Sequence, residues 1–141
     1  LRNLGNLMQI KRLTRRWERR VRDFCDANYS KIPVEPGDLN DYSRCQNVAT
    51  HYALKNSDEK LAAVMYKHQS DPDYAVHFIN FRDNQFIDNS IGWRAEFYDY
   101  RFIRWVYKNE MVATGGILFD LQKYFVSMAT RLERIFGKLE I

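Results

Sequence analysis

"YAVHFINFRDNQFIDNS", residues 74–90, reads as two short strands joined by a tight turn, with a histidine inside the first strand and an aspartate inside the second. Aromatic and β-branched residues fill both arms, and Asp83-Asn84 separates them with residue types that tolerate the left-handed backbone of a two-residue hairpin turn. That turn sets Phe81 opposite Phe86, Ile79 opposite Asp88 and His77 opposite Ser90. Residues two apart share a face, so His77 and Asp88 become diagonal neighbours within reach of each other. A three-residue turn would shift the register by one and send the two side chains to opposite faces.

Outward from this hairpin, "KLAAVMYKHQ" (60–69) predicts a strand before it, and "YDYRFIRWVYK" (98–108) predicts a fourth strand after it. The segment "YSKIPVEPGDLNDYSR" (29–44) holds two of the three prolines together with Gly, Ser, Asn and Asp, and reads as a loop. A short helix is expected to start close to Cys45, with Asp41 or Ser43 available as its cap and Val48, Tyr52 and Leu54 toward one side. At the two ends the apolar period is helical. Leu7, Ile10, Leu13, Trp17, Val21 and Phe24 mark one face of a helix from Leu4 to about Asn28, and Leu118, Leu121, Phe125, Met128, Leu132, Ile135, Phe136 and Leu139 mark a long closing helix.

The 141 residues suffice for one domain, 1–141, with a real core. Apolar residues make up 45%, aromatics 15%, and glycines number only six, which excludes a disordered or low-complexity chain. No apolar run approaches the roughly 20 residues of a membrane span. The first residue is Leu, and the N-terminal stretch lacks the pattern of a secretory signal. The chain is read as soluble, with the cytoplasm favoured and the compartment otherwise open. Two cysteines without zinc-ligand spacing argue against a structural metal, and no cofactor is expected.

A carboxylate beside an imidazole holds the ring in one tautomer, stabilises the imidazolium and leaves the other ring nitrogen free to move a proton. The candidate nucleophile is Cys45, because unpaired N–H groups and the dipole at a helix start favour a thiolate. A hydrogen-bonded polar pair on a sheet, with Cys45 as a structural thiol, is the plain alternative.

The order of Cys45 at a helix start, His77 on a strand and Asp88 on the next resembles the transglutaminase-like branch of the papain-like cysteine enzymes. "RCQNVATHYAL", "YAVHFINF" and "QFIDNSI" look most like the bacterial transglutaminase-like cysteine proteinases, through Cys45 with Ala49, His77, and Ile87-Asp88-Asn89. The likeness covers about residues 40–107. Asn47 departs from it where those proteinases often carry an acidic residue, the span from Cys45 to His77 is compact, and no acidic cluster marks the calcium site of some members.

The resemblance implies an α+β fold with a papain-like or transglutaminase-like core: an antiparallel sheet of three to five strands against the Cys45 helix, supported by long terminal helices. It implies a thiol hydrolase that cleaves a peptide or isopeptide bond, or transfers its acyl group. Cys45 would attack, His77 would serve as base and then acid, and Asp88 would orient His77, with a protein or peptide as substrate. Asn89 or Trp93 could orient the histidine or wall the cleft, and Gln46 could donate to an oxyanion.

The remaining candidates read more plainly. His51 lies about 240° around the helix from Cys45, and His68 is expected to face solvent. Cys25 is expected to be semi-buried, with a disulfide to Cys45 conceivable in an oxidising compartment. Tyr98, Tyr100, Phe102, Trp105 and Tyr107 read as core and edge packing rather than a stacking platform. Lys11, Arg12, Arg15, Arg16, Arg19, Arg20 and Arg22 crowd the other face of the first helix, with Glu18 the only acidic residue within that span, which localises the net charge of +4. The competing function is a non-enzymatic binding module using this face, Arg12, Arg15, Arg16 and Arg19 foremost, to engage nucleic acid or an acidic protein.

Overall fold

The computed structural model describes the backbone of residues 2–40 and 44–136 and the side chains of residues 12–40 and 44–135. The architecture is mixed α/β, a curled six-stranded sheet with helices packed on it. In chain order the elements are α1 (Arg2–Asn28), β1 (Lys31–Ile32), β2 (Val34–Pro36), α2 (Cys45–Lys55), β3 (Lys60–His68), β4 (Ala75–Arg82), β5 (Gln85–Asp88), β6 (Tyr98–Val106), α3 (Thr114–Val126) and α4 (Arg131–Phe136). Two 3-10 turns, Gly92–Phe97 and Lys108–Ala113, flank β6.

The central hairpin has the register read from its turn. Arg82 pairs with Gln85, Phe81 with Phe86 and Asn80 with Ile87, and the turn residues Asp83 (φ 52) and Asn84 (φ 63) both occupy the left-handed region. Two consecutive left-handed residues match the twist of the strands they join, which is why this turn type closes tight hairpins.

The sheet runs β1-β6-β3-β4-β5-β2 and is larger than the three to five antiparallel strands expected. The segment 29–44, read as a loop, contributes both edges. Lys31 and Ile32 pair antiparallel with β6, and Val34–Pro36 pair parallel with β5. Turn-rich composition conceals such strands because they are too short to show alternation, and Pro36, which lacks an N–H, is tolerated at the end of an edge strand.

The closing helix is also two elements rather than one. The chain breaks between Val126 and Arg131. The Ser127 hydroxyl bonds back to the Tyr124 carbonyl, and Thr130 caps α4: its Oγ1 accepts the Glu133 N–H (3.2 Å) while Glu133 Oε1 accepts the Thr130 N–H (3.0 Å). That reciprocal pair is a capping box and starts a new helix. Glu133, fully buried, also takes the Arg20 guanidinium and so ties α4 to α1. Leu132 and Ile135, expected on the apolar stripe, are exposed, and Leu139 lies outside the described residues.

Among the described residues, three apolar groups make the core. Ala49 and Ala53 of α2 pack with Leu61, Ala63, Phe78, Val106 and Met111 on one face of the sheet. Ala62, Val64, Ile79 and Tyr100 fill the other face with half-buried Phe86, Phe102 and Trp105. Fully buried Leu61 and Ile79 each stabilise the fold by roughly 1.5–3 kcal/mol relative to exposure. Val21 and Cys25 of α1 meet Met65 and Phe125. Cys25 is thus completely buried rather than semi-buried, and both cysteines are free thiols.

Along α2 the buried face is Val48, Ala49 and Ala53, whereas Leu54 is exposed, because the small residues allow close approach to β4. Its expected caps, Asp41 and Ser43, lie outside the described residues. Among those residues, no helix is long and apolar enough to cross a membrane.

Candidate active site

Cys45 is the first residue of α2, and Arg44 at the cap position makes no side-chain cap bond. The helix lies on the sheet face of Phe78, whereas His77 points to the face of Val64 and Tyr66. They meet because β5 ends early. In the hairpin register Phe78 directs its N–H toward β5, but the β5 ladder stops at Asp88, before a partner for Phe78 is reached. Cys45 stands in that gap, and its sulfur receives the Phe78 and Gln46 backbone N–H groups and a hydrogen bond from the His77 ring.

Asp88 itself ends the strand. Its Oδ1 accepts the N–H of Ser90 (2.9 Å) and of Ile91 (3.2 Å), an Asx-type turn that steers the chain out of the sheet. Its Oδ2 accepts from His77 Nε2 at 2.7 Å and from the Tyr100 hydroxyl at 2.6 Å. With Nε2 so engaged, Nδ1 is the imidazole nitrogen left to serve Cys45. His77 is 2% exposed and Asp88 fully buried, so water does not compete for these bonds, while Cys45 keeps partial access to solvent.

Burial opposes charge on all three groups, and their mutual bonds overcome it. Burial alone would lower the His77 pKa, but hydrogen bonds to Asp88 and Cys45 and the negative charge of both raise it to about 9. The Cys45 pKa, which burial raises, ends below its ordinary value because the His77 bond and charge and the two backbone N–H groups stabilise the thiolate. Burial raises the Asp88 pKa too, yet His77, Tyr100 and the Ser90 N–H hold it below the usual range. Each shift favours the same charged set, a thiolate beside an imidazolium backed by a carboxylate.

The sequence reading missed two aromatic residues at this site. Tyr66 lies flat on His77, ring centroids 4.0 Å apart and planes 6° apart, and Tyr98 stacks on the far side of Tyr66 at 5.0 Å. Tyr100, read as packing, reaches Asp88. Tyr66 reaches His77 through the β3–β4 register, which sets Val64 opposite His77, and Tyr100 comes level with Tyr66 only because a bulge at Ala63/Val64 shifts the β3–β6 ladder.

Other candidates fall outside the cluster. Trp93 is 60% exposed, and neither it nor Asn89 makes a hydrogen bond or ring contact with His77. Asn89 instead donates to Asn80 Oδ1 (3.1 Å) and accepts the Asp38 N–H (3.1 Å), bracing the segment that leads to Cys45. Gln46 is buried, and its Oε1 faces the Cys45 sulfur as an acceptor at 3.7 Å rather than presenting a donor. His51 and His68 are exposed.

Among the described residues, no group of three or more His, Cys, Asp or Glu side chains could hold a metal ion. A hollow of about 370 Å3 lined by Trp17, Val21, Met65, Tyr74 and Phe125 lies on the α1 side, and no triad residue borders it. No family model, curated protein or solved structure matches the chain.

Proposed function

We propose that the chain is a thiol enzyme acting on an acyl or amide bond, built on a core of the transglutaminase-like, papain-like kind. The observation that carries the reading is the convergence of Cys45, His77 and Asp88, with His77 Nε2 on Asp88 at 2.7 Å and the ring also bonded to the Cys45 sulfur.

The Cys45 thiolate attacks the carbonyl carbon and the C=O electron pair moves to oxygen. The Cys45 N–H, in the first turn of α2 where no helical acceptor is available, is the donor that would take that oxyanion. Collapse expels the amine, which takes the proton from His77, and leaves a thioester on Cys45. His77, now neutral, draws a proton from an incoming water or amine that attacks the thioester and regenerates the thiolate. Water gives hydrolysis of a peptide or isopeptide bond and an amine gives acyl transfer.

The test is trapping: incubation with a mixed panel of peptide and isopeptide substrates, acid quench, and intact-mass measurement. The account expects an acyl adduct on Cys45 that hydroxylamine removes and that Cys45→Ala abolishes. Turnover that survives Cys45→Ala would end it.

A second reading rests on a separate observation. Arg12, Arg15 and Arg19 are exposed on α1 away from the buried Leu13 and Val21, while Arg16, also exposed, flanks that stripe and lies 3.8 Å from Glu133. This face suits a phosphate-bearing or acidic partner, as a binding module or as a docking aid to the thiol site. Titration with a nucleic-acid duplex in rising salt checks it, binding that weakens steeply with salt being the expected result.

A further inference from the structure

We propose that Tyr100 is a positioning residue whose hydroxyl governs how much of the Asp88 charge reaches His77, an inference that rests on the thiol-enzyme reading of the same site. Asp88 Oδ2 is shared: His77 Nε2 approaches at 2.7 Å and the Tyr100 hydroxyl at 2.6 Å. Charge donated toward the phenol is withheld from the imidazole. Tyr100 is 2% exposed, so no water replaces its bond. Burial and the neighbouring Asp88 charge push its own ionisation far up, so it remains a donor throughout the working pH range.

The other oxygen of Asp88 is held independently by the Ser90 and Ile91 N–H groups. Removal of the phenol oxygen therefore leaves the carboxylate in place and directs more of its charge to His77. The groups facing this ring are Cys45 from α2, Tyr66 from β3, Asp88 from β5 and Tyr100 from β6, with Tyr98 behind Tyr66 and Arg94 close enough to act on the Tyr66 hydroxyl. Of these, Tyr100 alone shares the Asp88 oxygen with His77 by hydrogen bond. A residue needed only to fill space would be replaced by phenylalanine without electrical consequence.

The experiment is an NMR titration of labelled imidazoles in wild type and Tyr100→Phe, with exposed His51 and His68 as internal references. The expected result is an upward move of the His77 midpoint by on the order of half a pH unit or more, the size that loss of part of a charge-assisted bond carries. The references stay fixed. A second variant, with 3-fluorotyrosine placed at position 100, makes the phenol a stronger donor and moves the midpoint down; it also serves if Tyr100→Phe fails to fold. An unchanged midpoint, or shifts in the opposite sense, overturns the proposal. The readout does not require turnover. Failure of Cys45 to form an acyl adduct would sink the enzyme reading, while a fixed His77 midpoint would sink only the role of Tyr100.

Discussion

The imidazole of His77 lies flat on the phenol ring of Tyr66, centroids 4.0 Å apart and planes 6° apart. The stack holds the plane of the ring, and the bond to Asp88 sets Nε2 on the carboxylate, which leaves Nδ1 for the sulfur. Tyr66→Leu keeps apolar volume but removes the flat wall. We expect a stability loss of about 1 kcal/mol from the lost ring pair and Cys45 alkylation slowed several-fold. Denaturant titration and alkylation kinetics read the two effects separately.

Asp88→Asn should do more than remove a charge. The carboxylate accepts from four donors, His77, Tyr100, and the Ser90 and Ile91 N–H groups, and an amide turned either way sets its own NH2 against two of them. The expected outcome is destabilisation by about 3 kcal/mol and a Cys45 that ionises like an ordinary thiol. Equilibrium unfolding and the pH dependence of alkylation are the checks.

Gly37 lies where β2 meets the strand that carries Asp88, and its N–H donates to the Asp88 carbonyl at 3.0 Å. A Cβ there would come within 2.3 Å of Asn89 Oδ1, 2.7 Å of Ile87 Cγ2 and 2.8 Å of the Asp88 carbonyl oxygen. Gly37→Ala must push β2 from β5 and should cost about 1–3 kcal/mol, measured by thermal unfolding. Gly115 has open space around it, and the alanine there serves as control.

The triad and a distant carboxyl pair should leave different marks on stability against pH. Between about 6.5 and 9 the folded state holds an extra proton on His77, while the lowered pKa of Cys45 acts in the opposite sense, so the two offset each other in the slope. Glu18 differs: burial, then the hydrogen bond and charge of Asp73, raise its pKa from 4.5 to about 7. The folded state then binds the extra proton between those values, and stability falls as pH rises through them. Glu18→Gln should flatten that slope and stabilise the protein at pH 8 by about 0.5 kcal/mol, a small gain because solvent screens the pair. Melting temperatures at pH 4, 6 and 8 test it.

How much of this was legible in the sequence depended on the range of the interaction. The hairpin register followed from Asp83-Asn84, since turn type fixes pairing locally, and it placed His77 beside Asp88. The α1 stripe through Leu13, Trp17 and Val21 was equally plain, because a long helix repeats its signal. The edge strands Lys31–Ile32 and Val34–Pro36 were invisible, since two or three residues carry no period and their partners lie more than fifty positions away. The break at Ser127–Thr130 was hidden by apolar spacing that continued past it, while the deciding contact, Arg20 with Glu133, is tertiary. Tyr66 was missed because the β3–β4 pairing has no tight turn to fix its register, and Tyr100 because its place at the site depends on a bulge in the long-range β3–β6 ladder.

The central claim is that Cys45 rests as a thiolate held by His77, and the rate of iodoacetamide alkylation at pH 6 measures it most directly, with mass spectrometry separating Cys45 from Cys25. The account predicts that Cys45 reacts well above the rate of an ordinary thiol, that His77→Ala removes the advantage, and that Cys25, buried and with its pKa pushed up to about 12, stays unlabelled in the folded protein. A Cys45 rate no faster than a free thiol, or one indifferent to His77→Ala, would contradict it.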